Sequence, residues 1–469
     1  MLGAVPHEMV VDELAAVVHT ERAATGCVTF LGRTKNLRRC GAVTAQRECS
    51  EEVARVAIDV AKAWNVVLME TAAGKRQRFR VANNRSDHDR LVQLLKDQNV
   101  RCQIALEPTG NYHRPLAHRL LSEGEVYLVS SVAAARFREA MFNSWDKNDP
   151  KDAAVILELL KQGRVQHYHD PVAVGIHDLQ EISKTYVQVT MARTRLQHSL
   201  LTHHLPLYWP EFGRYWHSSR AEWFVRFLIR FPVPAAVRRL DREAFIQEAG
   251  PLVGRKVNKR AQLDEIYELA GETIALPIDP GSFAIQAFRL QLERYLSLNG
   301  LRKRLEEWAE EALAASEDFV LLRTIPGIGP VLALIILAEA GDLRRFGHHR
   351  QFLKFCGLDL AKSQSGASRG REKLSKRGNA RLRYAFWLAG TVAVRMRENS
   401  FREKYQRYIG SDPTDADLKR KALTAVMAKM ARVAYAVVKT KTTYRTYFEA
   451  AVPSGSIPLS RAVEAVRTS

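Results

Sequence analysis

The sequence predicts an α/β domain followed by an all-α remainder, and three observations carry that prediction. Apolar runs of strand length crowd the stretch from Val53 to Val129 and alternate in its second half with helical patterns. Strand signals largely stop after Pro171. Beyond that point apolar residues return at helical spacing. A chain of 469 residues is long enough for roughly three domains at ~150 residues each. It divides into an extension at 1–52, the α/β domain at 53–170, a helical coiled-coil region with an insertion at 171–317, a mainly helical unit at 318–450 and a loosely held tail at 451–469.

Within residues 1–50, Val10 to Val18 suits a short helix and Arg33 to Arg39 is basic; their role is unassigned. From Val53 the pattern sharpens. Val56 to Val60, Trp64 to Glu70 and Gln77 to Val81 read as three strands, the last two joined by a turn at Ala73-Gly74-Lys75. Leu91 to Leu95 suits a helix, Cys102 to Leu106 a fourth strand, Tyr112 to Ser122 a helix ending at Gly124, and Val126 to Val129 a fifth strand. Three strands in a meander, then alternating helices and strands, is the order of a ribonuclease H-like core.

In the coiled-coil region, Leu179, Ile182, Tyr186, Val189, Leu196 and Leu200 form one helical stripe, and Leu298, Leu301, Leu305 and Trp308 form another. The two helices can pair as an antiparallel coil or with a second subunit. Between them, Tyr208, Trp209, Phe212, Tyr215, Trp216, Trp223, Phe224, Phe227 and Phe231 interleave with Arg214, Arg220, Arg226 and Arg230. That pattern suits either base stacking or, more commonly, the core of a small helical insertion.

Lysine and arginine number 71 against 51 acids, a net charge of +20 with a pI near 9.8, and nucleic acid is the first partner such an excess implies. No apolar run reaches the roughly 18–20 residues of a membrane span, and the start of the chain lacks a secretory pattern. Five scattered cysteines, at 27, 40, 49, 102 and 356, point to reduced thiols and a cytoplasmic setting rather than a disulfide framework.

Four acids are candidates for chemistry. Asp59 lies inside an apolar strand, where a lone carboxylate is costly unless it is paired or binds a cation. Glu107 ends the fourth strand. Asp149 and Asp152 lie three apart at the start of a helix, on one face, with Pro150 tolerated in the first turn. Hard oxygen donors of this kind suit Mg²⁺, with Mn²⁺ as the alternative, and two such ions can serve phosphoryl transfer. Taken singly, Asp149 is also explained as a helix cap, Glu107 as a turn residue and Asp152 as a solvated acid.

Two further segments look made for phosphate. Ile325-Pro326-Gly327-Ile328-Gly329-Pro330 precedes an apolar helix from Val331 to Ala340, so Gly327 and Gly329 can bring backbone N–H groups close to an anion, as a helix-hairpin-helix turn does. The stretch from Lys362 to Arg371 holds Ser363, Ser365, Gly366 and Arg369. Lys373, Lys376, Arg377, Arg381 and Arg383 follow, with Glu372 the only acid. Lys362, Arg369, Arg371, Lys376, Arg377, Arg381 and Arg383 are the candidate backbone-binding cations. A serine in that field becomes a nucleophile if a base or metal activates it, but composition does not choose which one.

Together these residues resemble the DEDD transposases of the "one-ten" insertion-sequence family, from about Val53 to Phe448. Asp59 in Ile-Asp-Val, Glu107 in Leu-Glu-Pro-Thr-Gly, and Asp149 and Asp152 in Lys-Asn-Asp-Pro-Lys-Asp-Ala match the family's four acids. Pro-Glu-Phe at 210–212 and Phe-Pro at 231–232 look like its coiled-coil insertion, and Ile-Pro-Gly-Ile-Gly, Gln-Ser-Gly and Lys376 to Arg383 like its C-terminal transposase domain. The resemblance implies a RuvC-like domain holding Mg²⁺ and a serine, best matched by Ser365, that forms a covalent phosphoserine link with DNA. It further implies a composite active site in a homo-oligomer (dimer or tetramer), a noncoding guide RNA, and a cytoplasmic enzyme that is nucleoid-associated when acting.

The sequence departs from the family pattern twice. Asn148 stands where the family usually has threonine, and Gly357-Leu358-Asp359-Leu360 has leucine where it usually has proline, which keeps Ser363 open as the nucleophile. Three rival readings are a site-specific DNA invertase of the same family, a metal-only junction-cutting nuclease, and a domesticated non-catalytic nucleic-acid-binding protein.

Overall fold

The computed structural model describes residues 52–142, 149–216, 221–253, 259–361, 364–365, 368–369 and 373–446. Several sequence-based expectations lie outside these: the extension up to residue 51, Cys27, Cys40, Cys49, Asn148, Arg220, Lys362, Ser363, Arg371 and the tail. Of Asp149, Ser365 and Arg369 the backbone is described and the side chain is not.

The chain forms two compact units, one of residues up to 180 together with those from 315, the other spanning 181–314. The first unit opens with a six-stranded mixed sheet in the order β3-β2-β1-β4-β5-β6. β1 (Val53–Asp59), β2 (Trp64–Glu70) and β3 (Arg76–Ala82) form the antiparallel meander. β4 (Arg101–Glu107) and β5 (Glu125–Leu128) run parallel to β1. A two-residue β6 (Gln166–His167) closes the edge antiparallel to β5. This mixed sheet with flanking helices is consistent with a ribonuclease H-like α/β fold.

Helices cover both faces. α1 (Arg85–Lys96), capped by the Asn84 side chain on the Asp87 N–H, and α2 (His113–Leu120) send Leu91, Leu95, Leu116 and Leu120 against Val56, Ile58, Ile104 and Leu106. α3 (Ser131–Phe142) and α4 (Asp149–Lys161) cover the other face. The sequence reading has no counterpart to α3 or β6. β6 is two residues long and leaves no periodicity to read.

The second unit contains most of α5 (His177–Ser199) and all of α9 (Phe283–Leu313). Tyr186 donates to Glu306 (3.1 Å), and Arg193 donates to Tyr295 (2.9 Å) and Asn299 (2.5 Å). Ascending numbers on one helix meet descending numbers on the other, so the pair is antiparallel. α5 runs into a π-helical turn at Leu200–His204. Pro206 follows just beyond, and the amide hydrogen it lacks removes a regular helical bond there.

Between these helices lie α6 (Ala221–Arg230), α7 (Arg242–Ala249) and α8 (Lys259–Gly271). Trp209, Phe212, Phe224, Phe227 and Phe231 are each 2% exposed or less and pack on one another. Their arginine neighbours pair with acids: Arg214 with Glu265, Arg226 with Glu222 and Arg230 with Glu248. The aromatic run is thus the core of the insertion, and these rings are not presented for stacking on bases.

The C-terminal part of the first unit is helical. It comprises α10 (Glu317–Arg323), α11 (Pro330–Ala340), α12 (His349–Phe355), α13 (Ala380–Ala393), α14 (Ser400–Ile409) and α15 (Ala416–Thr440). α11 is buried nearly all round, as its unbroken apolar sequence requires, and α15 packs against α12, α13 and α14. Cys102 and Cys356 are buried free thiols whose pKa values burial raises, leaving them protonated and inert. No helix among the described residues is long and apolar enough to cross a membrane.

Candidate active site

Strand alternation sets the direction of two acids. Val56 and Ile58 enter the core shared with α1 and α2, whereas Ala57 enters the core shared with α4. Asp59 follows Ala57 by two residues and shares its face. Glu107 follows Ala105 in the same way on β4. The two acids are register partners across the parallel β1–β4 pair, so they end adjacent strands ~4.8 Å apart on the same side of the sheet.

The orientation of α4 brings a second pair of acids toward that edge. Lys161, the last residue of α4, donates to Glu70 (2.7 Å), and Glu70 is the register partner of Arg55 on β1. From Arg55 to Asp59 the strand advances ~13 Å, and from Lys161 back to Asp152 the helix spans ~13 Å. Ala57 and Ala105 are fully buried, and their small side chains let α4 lie close along the sheet. α4 therefore runs antiparallel to β1 and returns its first turn, with Asp149 and Asp152, to the end that carries Asp59 and Glu107.

Asp152 is 2% exposed, and Arg138 of α3 lies 2.5 Å from its Oδ1. The Arg138 guanidinium is thus the countercharge of that buried oxygen. Arg138 is absent from the sequence-level site; its only signal there is a helical run of alanines and Phe137. Among the described residues, no three His, Cys, Asp or Glu side chains form a metal-holding group. The Asp149 side chain lies outside the described ones.

The serine segment holds two nested antiparallel pairs. Leu360–Ala361 (β7) pairs with Lys373–Leu374 (β10), and Gln364–Ser365 (β8) pairs with Ser368–Arg369 (β9), placing Ser365 opposite Ser368. Short strands thus brace a stretch whose composition reads as a loop. Its base is held by Ser375, which donates its hydroxyl to Asp359 and its N–H to the Asp359 carbonyl (2.9 Å). Gly378, at φ 158°, packs so tightly that an added Cβ would stand 2.4 Å from the Gly357 nitrogen.

The candidate phosphate-binding residues divide by environment. Arg381 donates to Glu339 (3.0 Å), which also accepts from Asn379 (2.7 Å). Arg383 donates to the Cys356 and Lys376 carbonyls (3.4 and 3.3 Å). Both therefore hold the fold of the serine segment's base, whereas Arg377 is exposed and Lys376 is exposed with φ 52°. The glycines differ too. Gly327 has φ 89°, and a Cβ there would stand 2.2 Å from the Ala389 carbonyl, so its bareness serves packing on α13. Gly329 caps α11 in an extended conformation with open space around it.

Comparison with known proteins fits this arrangement. Residues 56–210 match a DEDD transposase family of the IS110 type, and residues 320–406 match the family described as "Transposase IS116/IS110/IS902 family". An IS116 insertion-element protein of Streptomyces clavuligerus is 21% identical over 76% of this chain and 88% of its own length. An IS110 protein of Streptomyces coelicolor is 22% identical over 66% of this chain and 74% of its own. The transposase of element IS1111A from Coxiella burnetii is 29% identical over 30% of this chain and 38% of its own. Both family matches are to transposases, so the chain is a DNA-transposing enzyme. The chain belongs to the IS116/IS110/IS902 family of insertion-sequence transposases.

Proposed function

We propose that this transposase cuts and rejoins DNA through a covalent phosphoserine intermediate formed on Ser365. The observation that most supports this reading is the register partnership of Asp59 and Glu107 beneath the first turn of α4. Carboxylates are hard oxygen donors suited to Mg²⁺, and those of Asp59 and Glu107 end adjacent strands on one side of the sheet. Asp59, Glu107, Asp149 and Asp152 would hold the ion. Mg²⁺ bound there supplies charge stabilisation for the phosphoryl oxygens and lowers the pKa of an oxygen nucleophile.

In the serine step, Ser365 Oγ attacks the phosphorus of the DNA backbone. The Oγ–P bond forms, the bond from phosphorus to a deoxyribose oxygen breaks, and that oxygen leaves with a proton. Rejoining is the reverse attack by a deoxyribose hydroxyl, which regenerates the serine. Arg369, Arg371, Lys376, Arg377 and Lys362 neutralise backbone phosphates around the serine, and the amides at Gly329 and the start of α11 hold a further phosphate in the manner of a helix-hairpin-helix turn. A noncoding RNA encoded by the element selects donor and target, and acids and serine from different subunits of a homo-oligomer complete each site.

The test incubates purified protein with Mg²⁺, DNA carrying the element junction and target, and RNA transcribed from the element's flanks. Denaturing gels read protein covalently attached to DNA. An adduct lost in both Ser365→Ala and Asp59→Ala supports the reading. An adduct that survives Ser365→Ala but not Ser363→Ala moves the nucleophile. Cleavage without any adduct, indifferent to both serines, sinks the serine mechanism in favour of a metal-only nuclease.

A further inference from the structure

α14 and α15 enclose a cleft of about 950 Å³, closed at one side by His349 of α12. Its lining is unusually one-signed. Lys404 and Arg407 come from α14, and Lys429, Arg432 and Lys439 come from α15, while Glu403 is the one carboxylate among the lining residues. The cations crowd one another. Burial lowers the Lys404 pKa, and the nearby Arg432 and Arg407 lower it further. Lys429 is lowered by burial and then by Lys404. His349 is lowered by burial, by His348 and by Arg432 and Arg350. Folding like charges together is unfavourable, and the cost is offset when an anion lies among them.

Two of the five have work inside the fold. Lys429 donates to the Ser400 carbonyl (2.8 Å) and lies over the Phe401 ring, and Lys439 reaches the Arg344 carbonyl (3.4 Å). Arg407 and Arg432 are exposed into the cleft, beside the exposed ring of Tyr408.

We propose that this cleft seats the phosphodiester backbone of DNA, as a contact surface separate from the serine segment. The inference rests on the transposase reading and adds to it a site made largely of residues beyond 406, where the family match ends. Two features favour the backbone of a polyanion over a small anion. The row from Lys429 to Lys439 extends ~15 Å along α15, and DNA presents one charge per ~1.7 Å of its axis, so several phosphates lie within its reach. Arginine forks match phosphate oxygens bidentately.

The experiment titrates the full chain against a short DNA duplex of arbitrary sequence at several salt concentrations, and in parallel against an RNA duplex. For Arg407→Ala/Arg432→Ala the slope of log affinity against log salt is expected to fall by about 2, at ~0.9 for each phosphate no longer neutralised. Arg407→Lys/Arg432→Lys, which keeps both charges, retains the slope. Arg407→Glu alone serves as a second variant should the double alanine fail to fold, and is expected to weaken DNA binding at low salt. An unchanged DNA slope and affinity overturns the proposal, as does a loss confined to RNA. Wild-type protein that binds no DNA instead sinks the transposase reading itself, so the two failures are distinguishable.

Discussion

Asp59 and Glu107 face one another as register partners on two parallel strands, each at its strand's last residue. Parallel pairing puts both carboxylates on one face, and Ala57 and Ala105, two residues earlier, fix that face as the one covered by α4. Two carboxylates so placed repel each other unless a cation or hydrogen-bond donors stand with them. The pair is placed to hold positive charge at that end of the sheet.

It follows that Asp59→Asn and Glu107→Gln separate stability from chemistry. Each removes one negative charge while keeping the shape, so the protein is expected to remain folded at the assay temperature. DNA strand cleavage in Mg²⁺ is expected to fall by about 100-fold or more, the scale of losing a group that holds charge in a phosphoryl transfer. Cleavage rates and melting curves on the same samples decide it. A variant that melts early and keeps its activity counts against the assignment.

The second prediction concerns Arg138 and Asp152. Asp152 is nearly fully buried, and Arg138 is its countercharge at 2.5 Å. Removing one partner of a buried pair leaves an uncompensated charge, at a cost of about 3–5 kcal/mol. Arg138→Met is therefore expected to lower unfolding free energy on that scale, and the double variant Arg138→Met/Asp152→Asn to recover much of it. Urea denaturation of the four proteins of the cycle measures the coupling. Additive losses would mean that the pair contributes nothing as a pair.

How far these relationships can be read from sequence depends on their range. The strands were legible because each carries its own local pattern: the second runs from Trp64 to Glu70 in both sequence and structure. Asp59 stood out because a carboxylate inside Val-Ala-Ile-Asp-Val breaks that pattern. The register of Asp59 on Glu107 and the closeness of Arg138 to Asp152 are tertiary facts with no local signature. The same limit applies to Gly327. A glycine before a helix suggests an anion, and only the approach of Ala389 reveals that it serves packing. The aromatic and arginine run from Tyr208 to Phe231 was ambiguous for a similar reason. Two of the acids that pair with its arginines, Glu248 and Glu265, lie beyond the run on later helices.

Acid should destabilise the α/β domain through His113. This residue is buried, and burial pushes its pKa down to about 4 against a backbone hydrogen bond with Gly110 that raises it. The unfolded chain takes up a proton near pH 6.5 and the folded chain does not until about pH 4, so the unfolded state binds more protons between those values. Stability is full above pH 6.5 and lost as pH falls toward 4, by on the order of 3 kcal/mol from this group. His113→Gln cannot take up that proton and is expected to show a shallower loss over the same window. Denaturant midpoints at pH 7 and pH 5 for both proteins give the comparison, and identical losses would remove His113 as a source.

The two glycines of the Ile-Pro-Gly-Ile-Gly turn should respond in opposite ways to the same methyl group. At Gly327 the backbone has φ 89°, and an added Cβ would meet the Ala389 carbonyl at 2.2 Å and the Ala393 Cβ at 3.0 Å. The strain of that φ and the displacement of α13 together are expected to cost about 3 kcal/mol or more. Gly329 has φ −85° and nothing within 4 Å, so alanine fits there sterically, at a cost of roughly 0.5–1 kcal/mol to the helix cap. If the amides at this turn hold a DNA phosphate, Gly329→Ala melts only slightly earlier than the wild type and weakens DNA binding, because the methyl group stands where the phosphate approaches. Thermal unfolding and duplex titration separate the two effects. A Gly329→Ala protein that binds DNA like the wild type would leave the turn with a packing role alone, carried by Gly327.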